Sequence, residues 1–339
     1  MRKTGSRVTI RDIANEVGVS ATVVSQVLRG VEGSLVSNAT RERVLRTARE
    51  LGYRPNRLAR ALVGGKTQTV ALWRHGVYTP FHAWVMHEAT KVANADGYEV
   101  IIRDFTAVRE QSVWIHVSDV DGILAHECVD HVRMLLAGSP SHTAPIVSMG
   151  VFTVPECDHV TVDLYTPTCD ALRHLLQNGR RRLAYVAIGP VAHASEPRYA
   201  AYCDVLAQEH LKPALIAVPD GSRREMRSAL RDMLRSRPLP DGFLCHNDDL
   251  AIVCLRALHD LGVRIPDDAA VVGCDGIPET EFTVPELSTI AQPVELMCRH
   301  AWNLLQERLE QPGLPAREIV LPAELVIRES SASSRLVSS

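Results

Sequence analysis

His126, Glu127, Cys128 and His131 are the residues whose types come nearest to metal chemistry. Imidazole, carboxylate and thiolate are all zinc donors, but this spacing is not a standard zinc pattern and no second ligand pair follows nearby. The quartet reads as a solvated strand-end loop, and no metal is expected. The chain carries no G-x-G-x-x-G turn and no Walker loop, since "VVGCDG" has two glycines at the wrong spacing for a dinucleotide. Neither a G-x-S-x-G elbow nor an H-E-x-x-H helix is present. With no catalytic constellation, neither an enzyme nor a cofactor is expected. The cysteines at 128, 157, 169, 203, 245, 254, 274 and 298 form no C-x-x-C pair. In a chain of this length they read as reduced core thiols of a cytoplasmic protein.

Charge carries a stronger signal. The 339 residues are 46% hydrophobic and 23% charged, with a net charge of −3, which suits a soluble chain of two or three domains. The balance is uneven. Residues 1–66 hold 13 Lys and Arg against 5 Asp and Glu, whereas the remaining 273 hold 24 against 35. A basic head on an acidic body points the head toward a polyanion. No apolar run approaches the eighteen residues of a membrane span. The basic start, "MRKTGSRVTIRD", lacks the apolar stretch of a secretory signal.

The elements that position these charges follow from periodicity. In "VTIRDIANEVGVSATVVSQVLRG" (8–30), Thr9 caps a helix whose apolar face is Ile10, Ile13, Ala14 and Val17, and Gly18 stops it. Ser20 caps a second helix with the stripe Val23, Val24, Val27 and Leu28, ended by Gly30. Two short helices joined by a glycine-containing turn match a helix-turn-helix. A third helix is capped by Ser37 or Asn38, packs through Val44, Leu45, Ala48 and Leu51, and turns Arg41, Arg43, Arg46 and Arg49 outward. "GYRPNRLARALVGGK" (52–66) then places a helix-forming run, Asn56 to Val63, between a proline and two glycines. Such a run is too short to hold its shape alone in water, and it exposes Leu62 on an arginine-studded segment.

From residue 67 short apolar strands alternate with helices. Strands are expected at 69–74, 98–103, 120–125, 144–150 and 159–163, then at 182–189, 213–218, 242–248 and 269–275. Helices are expected at Phe81–Ala95, Leu164–Gln177, Arg198–Glu209, Arg223–Arg235 and Asp249–Leu261. This alternation implies two doubly wound parallel-sheet subdomains of about five strands each, with a cleft at the strands' carboxyl ends. The fold class is therefore an all-α helix-turn-helix head plus an α/β body.

Residues 8–66 resemble the LacI family of bacterial transcription regulators through "TIRDIANEVGVS", "VVSQVLRG", "VSNATRERV" and "ELGYRPNRLARALVGGKT". The resemblance implies that the helix after Ser20 enters the major groove of double-stranded DNA. Ala21, Thr22 and Gln26 then fall on base-reading positions, where glutamine can pair with adenine and Thr or Ala can touch a thymine methyl. Arg29 stands where the family usually has Asn, and Val23 and Gln26 where it more often has Thr and Arg, so the operator departs from the common consensus. Thr9, Ser20, Ser25 and Asn38 are implied phosphate contacts. In the family the segment after the third helix folds only on specific DNA. Two copies pack together and wedge a leucine into the minor groove, which here is Leu62, with Asn56, Arg57, Ala59 and Arg60 on the same hinge helix.

The body is similar to the family's effector domain and to periplasmic sugar-binding proteins, through "YTPFHAW", "DVDGILA", "NGRRRLAYVAIG", "HNDDLAIVCLRALHDLGVRIPDDAAVVGCDG" and "PELSTIAQP". Carried over, Arg198, Asn247, Asp275 and Gln292 hold an effector in the cleft, with Arg198 offering a bidentate fork. The family often has an acid and an Asn after the first strand, where this chain has Gly76 and Thr79, and an acid after the fourth, where it has Gly150. Trp73, His75, Tyr78, His126 and Phe152 are the side chains expected to replace these groups. The implied effector is a sugar, a sugar derivative or a small acid, less hydroxylated than a free hexose or carrying an anion for Arg198.

The expected organisation is thus a helix-turn-helix head (1–53), a hinge helix and linker (54–66), an effector-binding and dimerisation domain (67–330), and a disordered tail (331–339). Chain crossings between subdomains are expected near 164, 292 and 324. No leucine heptad follows, so a homodimer on a pseudo-palindromic operator is expected and not a coiled-coil tetramer. The expected function is an effector-controlled repressor without membrane association. The contending readings are a solute-binding protein without gene control, against which the basic head argues, and an enzyme on an α/β scaffold.

Overall fold

The computed structural model describes residues 8–28, 36–53, 66–75, 79–105, 120–138, 144–189 and 192–332. The chain forms two compact units, Met1–Thr67 and Gln68–Ser339. In the first, α1 (Ile10–Val17), α2 (Ala21–Leu28) and α3 (Asn38–Glu50) enclose Ile13, Ala14, Val17, Val24, Val27, Val44 and Ala48. Each start is capped by side chains. Thr9 and Asp12 form a reciprocal box, Ser20 Oγ accepts from the Val23 N–H at 3.2 Å, and Ser37 Oγ accepts from the Thr40 N–H at 3.3 Å. Gly18 ends α1 at φ +73°, where a β-carbon would be strained. Two expectations shift here. Leu45 is 38% exposed, because Val44 and Ala48 already fill the narrow seam of so small a bundle. Arg43 is not simply solvated, for its guanidinium donates to the Val17 carbonyl at 2.8 Å and caps the end of α1.

The second unit has two lobes. The first contains β1 (Thr69–Arg74), α4 (Pro80–Ala95), β2 (Glu99–Asp104), β3 (Gly122–His126), α5 (Val129–Gly138), β4 (Ile146–Gly150) and β5 (Asp158–Asp163). The chain then crosses to α6 (Tyr165–Gln177), β6 (Leu183–Ile188), α7 (Pro197–Gln208), β7 (Ala214–Val218), α8 (Arg223–Arg235), β8 (Gly242–Cys245), α9 (Asp248–Asp260), β9 (Ala270–Asp275) and β10 (Ser288–Ala291) of the second lobe. It returns in α10 (Val294–Glu310) and β11 (Glu318–Pro322), and crosses again into β12 (Glu324–Val326). The sheets run β11-β5-β4-β3-β1-β2 and β12-β10-β9-β8-β6-β7, parallel throughout except for the β10–β12 pair. Each has six strands instead of about five, because β11 and β12 add a returning strand to each edge.

The run TVALWR of β1 is buried along its length, as a parallel strand covered on both faces must be. The eight cysteines are free, and all but the partly buried Cys203 are buried. The expected tail starts too early at 331. Ser331 is buried, its Oγ donates to Ser288 Oγ at 2.7 Å, and its carbonyl accepts from Asn178 at 3.2 Å. Residues 106–119 and 333–339 lie outside the described residues. Among the described residues no helix is long and apolar enough to cross a membrane.

Candidate DNA-reading head and effector cleft

On the head, Ala21 and Thr22 are exposed at the start of α2, and Gln26 is partly exposed one turn later. Thr9, Ser20 and Asn38 are exposed and Ser25 partly so, and Thr9 and Ser20 serve as helix caps. Arg29, Asn56, Arg57, Ala59, Arg60 and Leu62 lie outside the described residues.

In the second unit the carboxyl ends of both sheets enclose a cleft of about 200 Å³. The first lobe contributes Thr79, Phe81 and His82 around the start of α4, His126 and Glu127 at the end of β3, and Val151 and Phe152 after β4. The second contributes His193, Glu196 and Arg198 at the start of α7, His246 and Asn247 after β8, Asp275 at the end of β9, and Gln292 after β10. His126, Phe152, Arg198, Asn247, Asp275 and Gln292 are therefore brought together.

Trp73 is not among them. It is 1% exposed and packs edge-to-face on Phe105 at 5.0 Å, within the core between the sheet and α5. Side chains alternate along a strand, and position 73 faces away from the cleft end. His75 is also elsewhere. It is exposed, with its ring 5.2 Å from that of His131. Tyr78 lies outside the described residues. The strand-end quartet is not a solvated loop either, for His126 and Cys128 are each 1% exposed. Among the described residues no group of three such side chains is arranged to hold a metal.

Arg198 does not offer an open fork. Its Nε donates to Glu196 Oε1 at 2.7 Å, one amino group donates to the His246 carbonyl at 2.8 Å, and the other lies 3.1 Å from His246 Nε2. Tyr185 closes the ring, its hydroxyl donating to Glu196 Oε2 at 3.2 Å and lying 3.0 Å from His246 Nδ1. Glu196 and Arg198 are both buried, so this is an ion pair out of water. Burial opposes the charge on Arg198, but Glu196 reverses the balance and holds the guanidinium protonated. An anionic effector would have to displace Glu196, which counts against the small-acid expectation.

Asp275 has φ +133°, a conformation that costs a non-glycine residue about 1–3 kcal/mol. Its surroundings fix it there. Gln292 Nε2 donates to Asp275 Oδ1 at 3.0 Å, and Asp248 Oδ2 accepts from the next two backbone N–H groups, Gly276 at 2.7 Å and Ile277 at 3.0 Å. Burial, then the neighbouring Asp248, pushes the Asp275 carboxyl well above its ordinary range. Asn247 caps α9 by accepting from the Leu250 N–H at 2.9 Å, and still lines the cleft.

The expected loss of an acid at Gly150 is made good from the neighbouring strand. Gly150 has φ +133°, matching Asp275 on the other sheet, and a β-carbon added there would lie 2.2 Å from Glu127 Oε1. The Glu127 carboxylate thus fills the space in which a side chain at 150 would begin. It accepts from the Val151 N–H at 2.7 Å, and burial raises its pKa. His82 is lowered to about 4, by burial first and then by Arg74. His126 and His246 fall well below the ordinary histidine value, again chiefly by burial. Glu127, Glu196, His82 and His246 were not among the expected cleft residues: His82 and His246 stand inside the quoted stretches and Glu127 inside the strand-end quartet, but their place in sequence does not show that they turn into the cleft.

The family model for bacterial regulatory proteins of the lacI family matches residues 9–56, and that for a periplasmic binding protein-like domain matches residues 172–331. The HTH-type transcriptional regulator CelR of Thermobifida fusca is 30% identical, over 96% of this chain and 98% of that protein. The crystal structure of the lac repressor dimer bound to operator and the anti-inducer ONPF has a TM-score of 0.81 at 22% identity, over 96% of this chain and 99% of that one. It shares the fold. A LacI family transcriptional regulator from Arthrobacter sp. FB24, in complex with lactose, has a TM-score of 0.68 at 26% identity, over 78% of this chain and 99% of that one.

Proposed function

The chain belongs to the lacI family of bacterial regulatory proteins, and on that premise we propose that it is a homodimeric, sequence-specific repressor whose operator affinity is set by a small molecule held between the two lobes. The observation that carries this reading is the presence on one chain of a basic helix-turn-helix head and a two-lobed cleft built at strand ends. A solute-binding protein needs the second and has no use for the first.

In this reading α2 lies in the major groove, with Ala21, Thr22 and Gln26 toward base edges and Thr9, Ser20, Ser25 and Asn38 toward phosphates. Residues 56–63 form a hinge helix on the operator and Leu62 wedges a base step, with Asn56, Arg57, Ala59 and Arg60 beside it. Arg29 follows α2 toward the same DNA. A ligand that changes the angle between the lobes biases the hinge between folded and unfolded, which couples the cleft to DNA affinity. The lactose-bound relative supports a sugar or sugar derivative as the effector class. A cytoplasmic location follows from work on operator DNA.

Selection of the purified protein against random duplex DNA at about 0.15 M salt tests the reading. A palindrome with a central pyrimidine–purine step is the expected product. Weak, salt-sensitive binding without an enriched motif, in the presence and absence of sugars, would refute it.

A further inference from the structure

The cleft holds three carboxylates, Glu127, Glu196 and Asp275, and one guanidinium, Arg198. Arg198 is already committed to Glu196 at 2.7 Å. Three of its histidines bring no compensating charge, since burial keeps His82, His126 and His246 neutral near pH 7. Glu127 and Asp275 face the cleft from opposite lobes; Arg198 acts on both through space, but no cation lies within ion-pair distance of either among the described residues. An ionised carboxylate withdrawn from water without a counter-charge is costly. Yet both are held in place on backbone of positive φ, +54° at Glu127 and +133° at Asp275. Each also accepts a hydrogen bond that favours its anionic form, from the Val151 N–H and from Gln292 Nε2, although burial outweighs it and raises both carboxyls.

A second observation points the same way. His126 is 1% exposed, lines this cleft, and has an Nδ1 without a hydrogen-bond partner among the described residues. A neutral imidazole offers one acceptor nitrogen. Phe81 and Phe152 add apolar ring surface of the kind that attracts a cation. A divalent metal does not suit the site, because no three acids and histidines converge among the described residues.

We propose that the effector carries a protonated amine among its hydroxyl groups, and that Glu127 and Asp275 receive that amine between the two lobes. This rests on the effector reading above and narrows its class to an amino sugar or amino polyol. An ammonium group has three donors and one positive charge. It can donate to both acids at once and supply a counter-charge to one of them, which ties the lobes together as a neutral hydroxyl cannot do. The matched pair Gly150 and Glu127 is the local device, since the acid reaches its place only because position 150 has no side chain.

The test uses the full chain and matched compounds: glucosamine, glucose and N-acetylglucosamine; the galacto series; and 1-amino-1-deoxysorbitol with sorbitol. Calorimetric titration is expected to show at least one amine binding about tenfold or more tighter than its hydroxyl and N-acetyl counterparts, with Glu127→Gln removing that preference. A parent sugar binding as tightly as its amine overturns the inference and leaves the effector reading intact. A separate measurement needs no ligand. Glutamine at 127 can still accept from Val151 but carries no charge, so Glu127→Gln is expected to raise the unfolding midpoint at pH 8 by about 2–4 °C. A variant no more stable than the parent means that Glu127 already has its counter-charge, and overturns the inference whatever the panel gives. If no compound binds, this thermal result decides.

Discussion

Phe152 of one lobe stacks on His193 of the other, with ring centroids 6.3 Å apart and planes 21° from parallel. Among the described residues it is the ring pair that spans the cleft. Such pairs contribute about 0.5–1.5 kcal/mol beyond their buried area. Phe152→Ala is expected to leave the unfolding midpoint within a few degrees and to cut the effector-induced change in operator affinity about two- to tenfold. Operator titration with and without effector measures it, and an unchanged response would remove the pair from the coupling.

Arg198 and Glu196 form a buried pair, so deleting one partner strands the other. Arg198→Ala is expected to cost about 3–5 kcal/mol in urea unfolding. Arg198→Ala combined with Glu196→Gln should recover much of it. A single variant as stable as the parent would mean that the pair is not dry.

Gly150→Ala meets two obstacles, φ +133° and the Glu127 carboxylate 2.2 Å away. About 1–3 kcal/mol is expected from the backbone alone. Removing the obstruction with Glu127→Ala should return only the steric part, and a full return would show that the backbone there is not constrained.

His159 is buried, with no partner for either ring nitrogen among the described residues, and its pKa is lowered to about 4, chiefly by burial. The unfolded chain takes up the proton first. Stability from this group is therefore complete above pH 6.5 and is lost as the pH falls toward 4. His82, also lowered to about 4, acts in the same direction. Asp248, raised by burial to about 6, acts oppositely, since its contribution is present below pH 3.8 and lost as the pH rises through 6. His159→Gln is expected to flatten the fall in melting temperature between pH 6.5 and 4, and a parallel fall in both proteins would assign it elsewhere.

If Leu62 wedges the operator as proposed, Leu62→Ala is expected to weaken operator binding by a few kcal/mol while hardly changing affinity for random duplex, which would not be kinked around it. Competition assays at fixed salt give the ratio, and equal losses on both DNAs would rule out the wedge.

The alternation of strands and helices was legible because parallel strands buried on both faces are continuous apolar runs, and TVALWR and AVVGCD read as such. The caps Thr9 and Ser20 were legible because capping is local. Strand-end chemistry was not. Whether Trp73 or His126 turns toward the cleft depends on which face of the sheet each position takes. That Glu127 stands in for a side chain at Gly150 depends on β3 and β4 lying side by side, with Ile123 opposite Ile146. Arg198 was placed in the cleft by the family resemblance, but its engagement by Glu196 and His246 arises from packing.

The chain passes between the lobes after β5, between β10 and α10, and between β11 and β12. Neither lobe is therefore a continuous stretch of the gene. Ending the chain after Asp163 would leave the first lobe without α10 and β11, and starting it at Leu164 would strand those two elements beside a lobe they do not cover. A working half cannot be made by truncation. To isolate one lobe, its two segments must be rejoined in a new order, as in a circular permutant with a designed connection.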